Sequence, residues 1–441
     1  MVFEINALTI LVMASLGGIC AYLANANIAV FHDGLRPIYP QYLSGNMDRK
    51  ALFATSLSLS LGLVLGFGLS TSIAGGIIIC HTIMLACDII GTAFPDKKSI
   101  YKWVSAAVGA ALGVTLMFGM TAMMQLFAWL PIDFLPHLAN VGALIIITFC
   151  VFPALAVAYQ VSFKAGAVVF VLTMLIRQVT VLFGRFTIDG TQHAINADGA
   201  ALLFSIIAMV FCSVRFAKKT TGSAAAAFAG FSANVERIRK NIIILSIAGG
   251  ITALATTLLL IAEGPASLVL TAQGYYNEAG MVALGRALGF IPLVMTTAIV
   301  SGLYSPAGTK LVHVPAIFLI NLGIWGLVGS FVVGVLIMAI EVLFIGMIAK
   351  GMDRFPGMKE LGDNIRTSMS KVLELALLIG GALAANAIAP TLGYIWIFGL
   401  YFLNQTAKKP LPNMAIGPMG AIALGVIVNI LHVIRLFPAP A

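Results

Sequence analysis

The chain has 441 residues, 60% of them hydrophobic and only 9% charged, with a mean hydropathy of +1.04. A soluble domain carries about a quarter charged residues, so the composition specifies a polytopic membrane protein. The net charge of +9 is scattered as short clusters between apolar runs rather than gathered on one solvated surface, which argues against a nucleic-acid partner and for membrane topology as its cause.

A hydrocarbon core of roughly 30 Å asks for about twenty apolar residues per helix. On that measure the predicted spans are Ile5–Val30, Ala51–Leu69, Ile73–Phe94, Trp103–Leu130, Leu138–Ala158, Ala165–Gly184 and Gly199–Phe216, then Ile242–Ala262, Met281–Leu303, Leu311–Leu327, Ser330–Ala349, Val372–Ala389, Tyr394–Leu403 and Ala415–Leu436. The run Leu311–Ala349 is too long for one helix and is split near Gly326 and Gly329. Tyr394–Leu403 is short enough to be re-entrant. The first span lacks a basic n-region and reads as one that is kept. Cys20, Cys80, Cys87, Cys150 and Cys212 all fall within apolar runs, where thiols behave as small hydrophobes, so neither a disulfide framework nor a metal site is expected.

Ala217–Asn241 is the one long polar interval near the middle. It carries Lys218, Lys219, Arg237, Arg239 and Lys240, with Arg215 just before it, and belongs on the cytoplasmic face. With it inside, alternating crossings put all but four of the 25 Lys and Arg on cytoplasmic segments; the exceptions are Arg185 and Arg435 outside and Arg177 and Arg286 within spans. Both termini are then periplasmic. The expected fold is an all-α polytopic membrane protein of about fourteen transmembrane or re-entrant helices: an N-terminal membrane half (1–216), a basic linker (217–241) and a C-terminal membrane half (242–441). Seven spans per half means opposite orientation, the arithmetic of an inverted repeat, which characterises secondary transporters. The loops His32–Lys50 and Glu263–Gly280 are about equally long, while residue-level similarity between the halves is too weak to carry the point.

Ionisable groups inside spans each cost roughly 2.5–3.5 kcal/mol on insertion scales. The spans hold Asp88, Arg177, Arg286, Glu341 and Glu374, with His81 near Asp88. Such groups face the bundle interior, pair with one another or line a wet cavity; a static buried pair is the alternative to a functional role. Arg177 and Glu374 lie near span ends and can snorkel, whereas Asp88, Arg286 and Glu341 have less room to escape.

Three stretches carry the densest chemistry. Phe31-His32-Asp33-Gly34-Leu35-Arg36-Pro37 sets an imidazole, a carboxylate and a guanidinium among Gly and Pro, which suits a re-entrant gate or substrate lip, or else a cytoplasmic turn with a local Asp33–Arg36 pair. Gly285-Arg286-Ala287-Leu288-Gly289-Phe290-Ile291-Pro292, followed by Thr296-Thr297, offers a cation beside a helix expected to be broken at the proline, suited to an anionic group. Gly362-Asp363-Asn364-Ile365-Arg366 precedes the twelfth span, with Asp363 reading as an N-cap, and Asn404 lies near the C-terminus as a solute contact or a helix-end cap.

FHDGLRP, RALGFIPL with its Thr pair, DNIR before a Glu-bearing helix, and YFLN follow one another in an order that closely resembles the YhfT family of bacterial inner-membrane proteins. Asp88-Ile89-Ile90-Gly91, Tyr159-Gln160 and Glu341-Val342-Leu343 extend the likeness over nearly the whole chain. The resemblance implies a transporter-like protein of the cytoplasmic membrane and brings no substrate or catalytic residue with it.

The expected function is ion-coupled secondary transport, by alternating access, of a small polar and anionic metabolite. Arg286 and Arg36 supply positive charge, Asp88 and Glu341 bind a coupling proton or sodium ion, and His32, Asp33, Thr296, Thr297, Asn364 and Asn404 offer further contacts. A channel and a membrane-embedded enzyme are the alternatives. Against an enzyme, the six histidines, at positions 32, 81, 137, 193, 313 and 432, form no HExxH-like set, and no nucleotide-binding loop is present. No cofactor is expected; the partners are the lipid bilayer and the solute, with a homodimer open to it.

Overall fold

The computed structural model describes residues 4–148, 150–188, 191–195, 197–216, 224–354, 357–408, 410–411 and 413–437. Helix α1 (Ala7–Asn25) starts from a capping box in which Asn6 Oδ1 accepts from the Thr9 N–H and Thr9 Oγ1 from the Asn6 N–H. It stops five residues short of the expected Val30, because Asn27 turns left-handed at φ 55° and the chain runs extended through Phe31. A 3-10 turn at Arg36–Ile38 and the short α2 (Tyr39–Leu43) follow, then α3 (Arg49–Leu63), which Asp48 caps, a π turn at Val64–Leu69 and α4 (Ser70–Gly75). Gly76, at φ 69°, closes α4 in a conformation that L side chains rarely adopt. The two-residue strand β1 (Ile78–Ile79) then feeds α5 (Cys80–Ala93), and α6 (Ser99–Ala128) crosses back.

The remainder of this half is α7 (Leu135–Thr148), α8 (Phe152–Gln160), α9 (Phe163–Phe183), a hairpin of β2 (Arg185–Ile188) and β3 (Thr191–Ala194), and α10 (Ala197–Arg215). The polar interval forms α11 (Ala224–Lys240), which bends by 63° into α12 (Ile242–Thr257). Strand β4 (Ile261–Ala262), α13 (Pro265–Ala272), α14 (Tyr276–Ser301), α15 (His313–Phe318) and α16 (Gly323–Arg354) follow. The chain ends in α17 (Gly357–Ile388), α18 (Leu392–Thr406) and α19 (Asn413–Val433). Among the described residues six helices are long and apolar enough to cross a membrane, or seven if the bent pair Ser232–Lys240 and Ile242–Thr257 is one span. The protein is therefore a predominantly helical membrane protein.

The helix boundaries differ from the sequence reading at informative places. Gly323, at φ 55°, separates α15 from α16, and α16 runs unbroken through Gly326 and Gly329. Helix α14 likewise continues through position 292, so the ninth span is not broken at its proline. Asp363 lies inside α17 rather than at its N-cap, since the helix already starts at Gly357.

Two stretches of backbone are built alike. Gly17-Gly18 in α1 and Gly249-Gly250 in α12, the left-handed Asn27 and Leu259, and His81 and His313 are separated by one and the same interval. After each helix the same hydrogen bonds close the turn: the Ala26 and Leu258 N–H groups donate back to Tyr22 and Leu254, those of Asn27 and Leu259 to Ala24 and Thr256, and those of Ile28 and Leu260 to Leu23 and Ala255. Each turned-back segment then pairs, in parallel, with the other's counterpart. Ile78–Ile79 pairs with Ile261–Ala262, and Ala29 pairs with Tyr304, which follows the left-handed Gly302. Packing repeats as well. A Cβ on Gly17 would overlap the Gly109 carbonyl on α6, and one on Gly249 would meet the Gly334 carbonyl on α16 at 3.0 Å, the close approach that small residues permit between membrane helices.

Candidate functional site

The first extended segment is held to α5 by its backbone. Asp88 accepts from the Phe31 N–H at 3.1 and 3.0 Å and from the His32 N–H at 2.8 Å, and the carboxylate is buried. Irregular backbone away from water needs such partners, since unmade hydrogen bonds there cost several kcal/mol each. His32 Nδ1 accepts from the Gly34 N–H at 2.9 Å, tightening the turn. Arg36, fully buried, donates to Asp33 at 2.6 Å and to Thr297 Oγ1 on α14 at 2.7 Å, while its Nε has no partner among the described residues.

The second half anchors its own segments with carboxylates. Glu341, on α16, accepts from the Tyr304 hydroxyl at 2.6 Å and from the Thr309 hydroxyl, tying down the stretch between α14 and α15. Glu263, next to β4, accepts from Ser267 at 2.9 Å and from Arg286 at 3.2 Å; its second oxygen is buried without a partner among the described residues. Gly264 is a necessity here, because a Cβ at that position would collide with the Arg286 guanidinium. His313 Nδ1 lies 2.7 Å from Thr256 Oγ1.

Between these segments, at the start of α5, lies a cavity of about 20 Å³, room for about one water molecule. Phe31 and Asp33 wall it on one side, Cys80, His81 and Met84 on another, and the Ser305–Gly308 turn with Lys310 on the third. Lys310 is buried, with φ at 69°, a left-handed conformation that costs a non-glycine residue roughly 1–2 kcal/mol. Its ammonium lies 3.5 Å from Cys80 Sγ and 3.4 Å from His81 Nε2, and Cys80 Sγ reaches the Glu263 carbonyl at 3.6 Å. Ion pairs among the described residues are Arg36–Asp33, Arg49–Asp96, Arg177–Asp198 and Arg286–Glu263, and Lys310 takes part in none of them.

The residues singled out from the sequence therefore divide. His32, Asp33, Arg36, Thr297 and Asp88 come together around the first extended segment, and Arg286 and Glu341 hold the segments of the second half. The Thr296 side chain lies outside the described residues. Asn364 offers its carbonyl to Ser368 within α17. Asn404 spends both ends of its amide on Leu411, accepting from its N–H and donating to its carbonyl at 2.8 Å, and so latches the α18–α19 turn rather than joining the central group. Lys310, counted from the sequence among the loop cations, is not solvent-exposed: it lies in a buried run of turns and bends between α14 and α15. Glu263, Tyr304, Thr309 and Cys80 were also missed. The signal for them was the shared interval linking Gly17-Gly18 to Gly249-Gly250, together with the helix-breaking run Ser305-Pro306-Ala307-Gly308 between two apolar stretches.

A second polar cluster closes one end of the bundle, in the connection between α5 and α6. Asp96 accepts from Asn27 and from the Tyr42 hydroxyl, both at 2.6 Å, and lies 3.6 Å from Arg49. Burial pushes the Asp96 carboxyl up, but these hydrogen bonds and the Arg49 charge outweigh it and leave it below the usual carboxylate range. Burial and the bond to Asp96 push the Tyr42 hydroxyl up. Arg49 also donates to the Gly91 and Phe94 carbonyls at the end of α5, where Asn25 does the same. Helix α11 docks on this end: Arg237 donates to the Asn27 carbonyl at 2.7 Å and Asn234 to the Ile299 carbonyl at 3.0 Å.

Comparison with known proteins gives one consistent relationship. A family profile described as YhfT, protein of unknown function, matches residues 9–437. An Escherichia coli (strain K12) protein named "Uncharacterized protein YhfT" is 28% identical over 443 residues, covering 97% of this chain and 98% of its own. No solved structure matches.

Proposed function

This chain belongs to the YhfT family, and on that premise we propose that it is an ion-coupled secondary transporter of a small anionic metabolite in the bacterial inner membrane. The observation that carries this reading is the pair of turned-back segments, Ile28–Phe31 and Leu260–Glu263, which pair crosswise with the chain entering α15 and α5 beside a polar cavity. Non-helical backbone of this kind persists in a membrane protein where it is buried in protein or lines a solute path, and interrupted helices from two related halves are a hallmark of carriers.

In this reading about fourteen transmembrane or re-entrant helices form two inverted halves, 1–216 and 242–441, with 217–241 in the cytoplasm and both termini in the periplasm. The repeated turn, the repeated glycine pair and the crosswise strand pairing support it. So does the collection of Arg49, Asp96 and Arg237 at the end where α1 and α5 finish, as the positive-inside rule requires.

The two carboxylates first read as coupling groups each hold a segment that borders the solute path. A proton or sodium ion arriving at Asp88 competes for the oxygens that hold Phe31 and His32; at Glu341 it competes for those that hold Tyr304 and Thr309. Coupling then acts by loosening or re-forming the segments, so that the cavity opens to one side at a time. Arg286 and Arg36 keep these segments in register through Glu263, Asp33 and Thr297.

The test is counterflow. Proteoliposomes preloaded with unlabelled solute are expected to accumulate labelled solute transiently above equilibrium. Mere equilibration of the label identifies a channel and overturns the carrier reading.

A further inference from the structure

We infer that the cavity at the start of α5 is the anion-binding site and that Lys310, rather than Arg286 or Arg36, is the cation that meets the solute, which is a small monocarboxylate. The inference deepens the carrier reading and rests on it for the solute's delivery, but binding can be measured without transport. Three observations carry it.

Arg286 and Arg36 already have carboxylate partners, Glu263 at 3.2 Å and Asp33 at 2.6 Å. Lys310 is buried, with 6% exposure, lines the cavity and meets no anion among the described residues: its ammonium contacts Cys80 Sγ at 3.5 Å and His81 Nε2 at 3.4 Å and lies 5.8 Å from the centre of the Phe290 ring. An ammonium has three donors; two point at Cys80 and His81, and no carboxylate among the described residues pairs with its charge. Beyond Lys310, the cavity is bounded by Cys80 and His81, the first residues of α5, whose leading amides have no intrahelical acceptor and carry the positive end of the helix dipole.

The charges set the class of anion. Asp33 shares the cavity wall but is neutralised by Arg36, so Lys310 is left as a single point charge and one carboxylate balances it. A phosphate dianion would leave one charge uncompensated in a site with no guanidinium fork free to grip it. The volume bounds the fit: with room for about one water, the closed site is smaller than a carboxylate, so a solute of few atoms enters only as the lining side chains, Phe31 and Met84 among them, give way.

The test uses purified, full-length protein in detergent. Acetate, propionate, lactate and pyruvate are each titrated while thermal unfolding and alkylation of Cys80 by a small maleimide are followed, with inorganic phosphate and sulfate as divalent comparators. At least one monocarboxylate is expected to raise the melting temperature saturably and to protect Cys80. Lys310→Gln is expected to weaken that binding by about thirtyfold or more, as loss of one partner of a buried charge pair does. Lys310→Arg, which keeps the charge, is expected to retain part of it and shows that loss in the Gln variant is not misfolding. Absence of any carboxylate effect on the wild-type protein, equal affinity in Lys310→Gln, or stronger binding of phosphate or sulfate would each overturn the inference. Saturable binding without counterflow would sink the carrier and leave the site standing; counterflow undiminished in Lys310→Gln would do the reverse.

Discussion

Asp96 and Lys310 are both polar side chains near a helix end, and their surroundings give them opposite roles. Asp96 is held by two hydrogen bonds and the Arg49 charge, and its carboxyl lies below the usual range. Its folded value is lower than its unfolded one, near 3.9, so the stability it contributes is present above that value and lost as pH falls through the folded one. Asp96→Asn is therefore expected to melt below the wild type at pH 7, with the gap closing as pH falls below the usual carboxylate range; a gap independent of pH would show that Asp96 acts through shape alone. Lys310 has no charged partner among the described residues, only Cys80, His81 and the Phe290 ring. At this scale the sequence was only partly legible. Asp88, Glu341, Arg36 and Arg286 were recognisable because a charge within an apolar run needs a reason to be there. Glu263, the partner of Arg286, and Lys310 were not, since both sit beside breaks in the helices and read as loop residues.

At the scale of elements, small residues decide how α1 meets α6 and how α12 meets α16. Gly17 and Gly109 each lie against the other's carbonyl, and Gly113 against that of Met13. Leucine at position 17 has no room, and overpacking costs about 1–3 kcal/mol. Gly17→Leu is expected to destabilise the protein by that order in denaturant titration, whereas Gly119→Leu, where a Cβ meets nothing within 4 Å, is expected to be near neutral. Equal effects would show that α1 and α6 are not so closely packed. Most long helices were visible as apolar runs. What the runs concealed was where helices stop: α1 ends at Asn25 inside an apolar stretch because Asn25 and Asn27 bond to the α5–α6 end, and α14 passes its proline without stopping. Hydropathy counts residues and is blind to both.

For the whole molecule, the basic interval at 217–241 is the boundary on which the reading of two halves rests, and the described part of α11 docks where α1 and α14 end. Lys310 and Arg36 are buried, so they are not among the exposed loop cations on which the expected orientation rests. The halves share little sequence, yet Gly17-Gly18 and Gly249-Gly250 mark corresponding turns because close packing and a reversal of the backbone demand specific residues, while lipid-facing positions ask only for apolar ones. If the halves are inverted, the two turned-back segments dip into the membrane from opposite faces. Ser44 and Gln273 are exposed at their returning ends. With the five cysteines replaced, Ser44→Cys and Gln273→Cys can be challenged in intact cells and after lysis with a membrane-impermeant maleimide. Gln273→Cys is expected to label in intact cells and Ser44→Cys only after lysis; labelling of both from the same side would contradict two opposed halves meeting around a solute.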